Sequence, residues 1–258
     1  MPRFAANLSM MFNEVPFLDR FQKAAEAGFE AVEYLFPYEF PADEIAARLK
    51  AFNLTQALFN LPPGDWSKGE RGLAALPDRA AEFEAGLKTA LPYVKATGVK
   101  KLHMMAGLAD RFSPWAVTSY QDNVRKAADF FGPHDVMVLL EPINARGMPG
   151  YFMNDFLFAH DLIKDLAIPN VKIQFDIFHR QIIHGDVVMA IRALFPLIGH
   201  VQVASVPSRH EPMSEELNDA FIFAELDRLG YDGFIGCEYI PAGKTEDGLG
   251  WFKPYRPR

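Results

Sequence analysis

The sequence contains a single cysteine, Cys237, among its 258 residues. One thiol cannot form an internal disulfide, and such scarcity is typical of a reducing compartment, so we expect a cytoplasmic protein. The chain also has no excess of positive charge, because 26 Lys and Arg oppose 33 Asp and Glu to give a net charge of −7. This balance disfavours nucleic acid or an anionic membrane surface as a partner.

Long apolar runs and targeting signals are missing as well. No stretch approaches the roughly 20 apolar residues that span a bilayer, and residues 1–12 lack the basic start and apolar run of a secretory signal. Hydrophobic residues nevertheless make up 50% of the chain, which is enough for one large core. We therefore expect a soluble, untargeted protein with a single domain over residues 1–258.

Two kinds of segment alternate along the whole chain. Short apolar or β-branched runs predict eight strands, at residues 4–8, 31–34, 55–59, 101–105, 136–141, 172–175, 200–204 and 234–238. Helical spacing of apolar residues predicts seven helices between them, at residues 15–27, 41–52, 78–97, 114–131, 153–166, 181–195 and 215–229. This alternation requires a parallel sheet, because each crossover returns the chain to the same end.

Two parallel architectures fit the alternation. A doubly wound nucleotide-binding sheet normally has a glycine-rich turn after its first strand, and residues 7–11 contain no glycine. Eight units in roughly 250 residues match the (β/α)₈ TIM barrel, which is the α/β fold we predict. Phosphate-loop, HExxH and GxSxG motifs are also missing from the sequence.

Oxygen-bearing side chains stand where four consecutive predicted strands end. They are Glu141, Asp176, Gln202 and Glu238, on strands five to eight. The carboxyl ends of barrel strands share one face, so three carboxylates would repel one another there in a partly dry site. A divalent cation would compensate, and an oxygen-only ligand set favours Mg²⁺ or Mn²⁺. The alternative is that each carboxylate is salt-bridged to a neighbouring Lys or Arg.

Further polar residues are predicted near the same face. His179 stands three residues after Asp176, and Arg209 lies in the loop after strand seven, where its guanidinium could hold a substrate carboxylate. The long irregular segment at residues 60–77 follows strand three and is a candidate lid.

Three polar residues on the first, second and fourth strands are less informative. Asn7 and Glu33 end strands one and two, and an ordinary structural role is favoured for both, although either could line the mouth. His103 on strand four alternates with apolar neighbours, which leaves open whether it faces the barrel interior or the helices.

These residues resemble the hydroxypyruvate isomerase family, which belongs to the wider group of xylose isomerase-like barrels. The resemblance covers nearly the whole chain and is most specific at residues 60–72, with further matching motifs at residues 141–144, 174–179, 199–202 and 236–239. It implies an aldose–ketose isomerase that converts hydroxypyruvate to tartronate semialdehyde through an enediolate. A 2-oxo-tetronate is the alternative substrate that the resemblance implies.

The resemblance also implies residue roles. Glu141 and Glu238 would be the acid/base pair, and both would bind the metal together with Asp176 and Gln202. From their positions we predict that His179, Arg209, Arg71 and Asn7 bind substrate. Arg71 lies in the family-specific segment and competes with Arg209 for the substrate carboxylate.

Departures from the family pattern leave the exact substrate open. The family usually has His at the position of Phe59 and a glycine-containing turn after Arg209. A ketose 3-epimerase is a weaker alternative, because such enzymes usually have His at Gln202 and Glu at Gly147. An abasic-site endonuclease is disfavoured because it would need more His ligands and a basic groove. A non-catalytic sugar-acid binding protein is disfavoured because the ligand positions on strands five to eight are intact. The 23 Phe residues predict a large core and are compatible with a homo-oligomer.

Overall fold

The computed structural model describes residues 1–256, and its eight parallel strands form a closed barrel in the order β1 to β8. The strands are Arg3–Asn7 (β1), Ala31–Tyr34 (β2), Thr55–Asn60 (β3), Lys101–His103 (β4), Met137–Leu140 (β5), Val171–Asp176 (β6), Ile198–Val203 (β7) and Phe234–Cys237 (β8). The predicted (β/α)₈ barrel is confirmed, and all eight strands lie at the predicted runs. The last two residues of the predicted 1–258 domain lie outside the described residues.

Helices connect the strands on the outside of the barrel. They are Arg20–Glu26 (α1), Ala42–Ala51 (α2), Ala80–Thr97 (α3), Pro114–Phe131 (α4), Phe156–Leu166 (α5), Ile177–Ile183 (α6), Val187–Leu194 (α7) and Asp219–Arg228 (α8). No helix in residues 1–256 is both long and apolar enough to cross a membrane.

The helix predicted at residues 181–195 is wrong, because two short helices replace it. Gly185 and Asp186 separate α6 from α7, and both have positive φ angles, of 62° and 49°. This left-handed conformation cannot continue a right-handed helix. The first of the two helices, α6, starts directly at the end of β6, so its first turn stands at the mouth of the barrel.

Other helices start later than predicted because of local caps. The side chain of Asp155 accepts hydrogen bonds from the N–H groups of Leu157 and Phe158 at the start of α5. The side chain of Asn218 caps α8 in the same way. These side chains satisfy N–H groups that a helix cannot pair internally, so the helix begins immediately after them.

The barrel interior changes from apolar to polar along its axis. Ala5, Ala31 and Ala57 form a small buried cluster with Phe234 packed against it. Because β1 and β2 alternate inward and outward side chains, Asn7 and Glu33 face the interior two residues further along the strands. The polar half therefore lies towards the carboxyl ends of the strands.

Glu33 is the centre of a buried hydrogen-bond network in this polar half. Its carboxylate accepts hydrogen bonds from Asn7 Nδ2 at 3.0 Å, Gln202 Nε2 at 2.8 Å and His200 Nε2 at 2.7 Å. Gln174 Nε2 donates to Gln202 Oε1 at 2.6 Å. Burial lowers the pKa of His200, against the opposing effect of Glu33, so the ring is neutral with its proton on Nε2. The network joins strands β1, β2, β6 and β7 and holds the Gln202 amide in one orientation.

Gly236 on β8 leaves the space that this network occupies. A Cβ atom added at Gly236 would overlap both carboxylate oxygens of Glu33. Glu33 cannot move aside without breaking its hydrogen bonds to three buried partners.

We expect Gly236→Ala to lower the free energy of unfolding by about 1–3 kcal/mol, the usual cost of overpacking a well-packed interior. Urea unfolding followed by circular dichroism measures this loss. Gly243→Ala is the matched control, since a Cβ at Gly243 meets nothing within 4 Å. Equal stability of the two variants would show that the space at Gly236 is not needed.

Candidate active site

Four titratable side chains converge at the carboxyl ends of strands β5 to β8. Glu141 follows β5, Asp176 ends β6, Glu238 follows β8, and His179 lies in the first turn of α6. One potential ligand atom from each lies within 4.8 Å of all the others. All four residues are buried, with 0–8% exposure. The strand-end carboxylates predicted from sequence are thus one cluster in the structure.

Burial and mutual repulsion disfavour full ionisation of this cluster. Burial raises the pKa of Glu141 well above its usual range, and the nearby charges of Glu238 and Asp176 raise it further. The pKa values of Asp176 and Glu238 are also raised by burial, although the guanidinium of Arg209 opposes the shift in both. The cluster therefore has a strong affinity for additional positive charge.

Arg209 supplies one such charge. Its Nη2 donates to Glu238 Oε2 and lies 3.4 Å from Asp176 Oδ2. The Arg209 backbone is in the left-handed region with φ of 58°, and its N–H and C=O are held by Ser205 and Ile240. A non-glycine residue in this conformation is often found at functional sites. One guanidinium against three carboxylates leaves the cluster acidic, so the salt-bridge alternative accounts for only part of the arrangement.

The ring of His179 is held beside the cluster by Asn144. The backbone N–H of Gly147 donates to Asn144 Oδ1 at 2.8 Å, which points Asn144 Nδ2 towards His179 Nδ1, 2.6 Å away. The backbone N–H of Asn144 also donates to Nδ1, at 3.3 Å. Since Nδ1 accepts, the proton of the neutral ring is on Nε2, which lies 3.5 Å from Asp176 Oδ2 and 3.7 Å from Glu141 Oε1.

The three carboxyl groups of the cluster fit a hard divalent cation, whose charge would favour their ionised forms. Glu141 Oε1 is buried and has no hydrogen-bond partner in the described structure. An unpaired buried carboxylate oxygen beside two further carboxylates is the donor chemistry that Mg²⁺ and Mn²⁺ accept. The buried acidic group can therefore hold a metal ion.

Gln202 was predicted as a fourth ligand. It is level with Asp176 in the β6–β7 register, and its amide is already hydrogen-bonded by Glu33 and Gln174. Its Oε1 retains one lone pair, so its role as a ligand stays a prediction.

A small cavity of about 140 Å³ opens above the cluster. Glu141, His179, Arg209 and Glu238 form part of its wall, and the remaining wall residues are Met10, Leu35, Asn60, Trp66, His103, Met105, Ile143, Gly147 and Met148. The wall is mostly apolar outside the cluster. This favours a small ligand with few, closely spaced oxygens.

The candidate lid at residues 60–77 covers one side of this cavity through Trp66. The segment is fixed to the loop after β4, since Gly72 forms a bridge with Ala106 and the Ala75 N–H donates to the Ala106 carbonyl at 2.7 Å. Gly72 is required there because a Cβ would overlap the Met105 backbone.

Two of the predicted substrate-binding residues lie behind the cavity wall. Arg71 stacks its guanidinium over the Trp66 ring at 3.9 Å and donates to the backbone carbonyls of Trp66 and Glu70. Asn7 donates to Glu33 and accepts from the Ser9 N–H. Neither lines the cavity, so any effect of these two residues on substrate passes through Trp66 or through the Glu33 network. Their assignment to substrate stays a prediction.

Two cavity residues escaped the sequence reasoning. His103 ends β4 and faces the cavity, which the strand pattern left undecided, and Asn60 ends β3 beside it. Asn60 directly follows the predicted third strand, which is the kind of signal that identified Glu141 and Asp176, whereas His103 lies inside the predicted strand at residues 101–105.

Comparison with known proteins places this geometry in a class. A family model described as Xylose isomerase-like TIM barrel matches residues 21–255. The chain is 53% identical to a 2-oxo-tetronate isomerase of Cupriavidus necator, over 100% of both chains. It is 40% identical to a hydroxypyruvate isomerase of Escherichia coli, over 99% of this chain and 100% of the relative.

A solved structure from Brucella melitensis, described as an AP endonuclease of family 2, superposes with a TM-score of 0.97 at 53% identity over 100% of both chains. Two D-allulose 3-epimerase structures from Methylomonas sp., at 18–19% identity and TM-scores of 0.74 and 0.75, share the fold. The fold and the acidic cluster thus define a xylose isomerase-like barrel protein. This chain belongs to the Xylose isomerase-like TIM barrel family, and its relatives in that family include hydroxypyruvate and 2-oxo-tetronate isomerases.

We expect Asp176→Asn to weaken Mn²⁺ binding by at least ~10-fold, because it removes one anionic group from a buried cluster while Asn retains the capping of α6. Isothermal titration calorimetry with Mn²⁺ measures the affinity. Asp129→Asn, an exposed change on α4, is the control. Unchanged affinity in Asp176→Asn would remove this residue from the ion site.

Proposed function

We propose that this protein is an isomerase that interconverts the aldose and ketose forms of a short hydroxy-oxo acid. The observation that carries the proposal is the pair Glu141 and Glu238, which line one small cavity and cluster with the buried Asp176. The relatives named as isomerases, at 40–53% identity over nearly the full chain, support it.

The reaction is a proton shift between neighbouring carbons. In hydroxypyruvate, a carboxylate removes a proton from C3 and the electron pair of the C–H bond forms the enediolate. A proton then arrives at C2, and the proton of the C3 hydroxyl passes to the C2 oxygen, which gives tartronate semialdehyde. Glu141 and Glu238 line the cavity from strands separated by two others, so we assign them to proton removal and proton delivery.

The buried carboxylates of Glu141, Asp176 and Glu238, with the amide oxygen of Gln202, are the residues we assign to an Mg²⁺ or Mn²⁺ ion. When bound, such an ion supplies Lewis-acid stabilisation of negative charge on the substrate oxygens. His179 lines the same cavity, and its ring is held by Asn144.

The substrate carboxylate requires a cation at one end of the cavity. Arg209 lines the cavity and its Nη1 makes no hydrogen bond in the described structure, which leaves that nitrogen available. Arg71 is committed to Trp66, so we assign the carboxylate to Arg209 and a supporting role to Arg71.

Hydroxypyruvate and 2-oxo-tetronates are both short acids that undergo this shift, and the relatives carry both names. A DNA-directed activity is disfavoured, although one similar structure is described as an AP endonuclease. The chain has a net charge of −7, and the cavity above the cluster has a volume of about 140 Å³. Binding to a phosphate backbone requires a basic groove instead. A cytoplasmic location and self-association stay predictions of the sequence.

We expect Glu141→Gln and Glu238→Gln each to lower kcat by at least ~10²-fold with the fold retained, because an amide cannot accept the transferred proton. The assay follows hydroxypyruvate and a 2-oxo-tetronate by proton NMR with Mg²⁺ or Mn²⁺ present. Glu84→Gln, an exposed change on α3, is the matched control. Full turnover in either variant would exclude that glutamate from proton transfer.

We expect Arg71→Ala to raise KM more than it lowers kcat, since it frees Trp66 in the cavity wall without altering the acid/base pair. Steady-state kinetics separate the two effects, and intrinsic Trp fluorescence reports the loosened ring. A fall in kcat at constant KM would instead assign Arg71 to the transition state.

A further inference from the structure

His103 is a buried polar side chain without a partner. It ends β4, is 1% exposed, and neither ring nitrogen makes a hydrogen bond in the described structure. Two unpaired nitrogens in a protein interior are costly, and such groups usually receive a ligand or a water molecule. The imidazole lines the cavity described above.

Asn60 stands beside it with a free amide. It ends β3, pairs with His103 in the β3–β4 register and also lines the cavity. Its backbone carbonyl accepts from the Tyr38 hydroxyl at 2.6 Å and its backbone N–H donates to Leu35, whereas its side chain makes no hydrogen bond in residues 1–256. The two residues form a polar wall between apolar neighbours, which we term the β3–β4 wall.

The β3–β4 wall lies across the barrel from Arg209, which we assign to the substrate carboxylate, and from Glu238. In a closed ring of eight strands, β3 and β4 are opposite β7 and β8. Arg209 belongs to the loop after β7, and Glu238 follows β8. A substrate with its carboxylate at Arg209 therefore directs its other end towards His103 and Asn60.

The two unpaired ring nitrogens of His103 and the free amide of Asn60 offer both donors and acceptors, which suits a hydroxyl group that donates and accepts. A hydroxypyruvate molecule has no group beyond the two oxygens that take part in the isomerisation. A 2-oxo-tetronate carries one further carbon, a terminal CH₂OH.

We infer that His103 and Asn60 form a hydrogen-bonding subsite for the terminal hydroxymethyl group of a four-carbon hydroxy-oxo acid. The subsite rests on the isomerase function proposed above and sets its preference between three and four carbons. A site built to bond a hydroxyl rejects the analogue that lacks it, because its polar groups are then left unpaired.

The competing role for His103 is to position Glu141, since its Nδ1 lies 3.4 Å from Glu141 Oε2. A positioning residue acts on the proton transfer itself and so affects all substrates equally. A subsite residue affects only the substrate that reaches it. The ratio of kcat/KM values for the two substrates distinguishes the roles.

The test compares His103→Leu, Asn60→Ala and the wild-type enzyme on hydroxypyruvate and on a 2-oxo-tetronate, with Mn²⁺ present. We expect each variant to lower kcat/KM for the four-carbon acid roughly tenfold more than for the three-carbon acid. His103→Gln, which keeps a donor, restores part of the difference. His134→Leu, at the opposite end of the barrel in the turn before β5, leaves the ratio unchanged.

Binding provides a readout independent of turnover. Calorimetry with threonate, a four-carbon hydroxy acid, is expected to show weaker binding to His103→Leu, whereas binding of glycerate, its three-carbon counterpart, is unchanged. Because both ring nitrogens are unpaired, His103→Leu is also expected to melt at the wild-type temperature or above it, which excludes misfolding as the cause.

Parallel losses on both substrates, or an unchanged ratio, would overturn the subsite while leaving the isomerase function intact. A wild-type enzyme that turns over neither acid would overturn both, and threonate binding that does not depend on His103 would overturn the subsite independently of catalysis.

Discussion

Repulsion among three buried carboxylates is the constraint on which the rest of this structure depends. Glu141, Asp176 and Glu238 stand at the ends of different strands, and the closed barrel brings them within a few ångströms of one another. Burial prevents water from screening them, which is why their pKa values rise. Arg209 relieves part of the repulsion, and its bonds to Glu238 and Asp176 also fix the loop after β7. The buried acidic group can hold a metal ion, and we propose that a divalent cation relieves the remainder.

The barrel supports this cluster with a second polar layer rather than with an apolar plug. Glu33 and His200, both 0% exposed, pair with each other and with the amides of Asn7 and Gln202. Both carboxylate oxygens of Glu33 therefore accept hydrogen bonds, which offsets the cost of burying this side chain. Gly236 provides the room for it. The arrangement exchanges some apolar packing for side chains that hold fixed orientations below the site, as preorganised sites require.

The sequence predicted the barrel and the acidic cluster because both depend on short-range patterns. Strand–helix alternation dictates the parallel sheet. The carboxyl ends of all barrel strands share one face, so carboxylates at those ends lie on the same face. Other features depend on pairing between distant segments. The Glu33 network needs the β1–β2 and β6–β7 registers, and the stacking of Arg71 on Trp66 follows from the path of an irregular segment. His103 could not be oriented because β4 has three residues, too few for alternation to show a direction. The break between α6 and α7 arises from the left-handed backbone at Gly185 and Asp186, which apolar periodicity does not report.

The most direct test of the central claim is anomalous diffraction from crystals soaked with Mn²⁺. We predict one strong anomalous peak within coordination distance of the carboxylates of Glu141, Asp176 and Glu238, at the carboxyl end of the barrel. The account would be contradicted by crystals in which that position stays empty at millimolar Mn²⁺ while the chelator-treated protein isomerises its substrate at full rate.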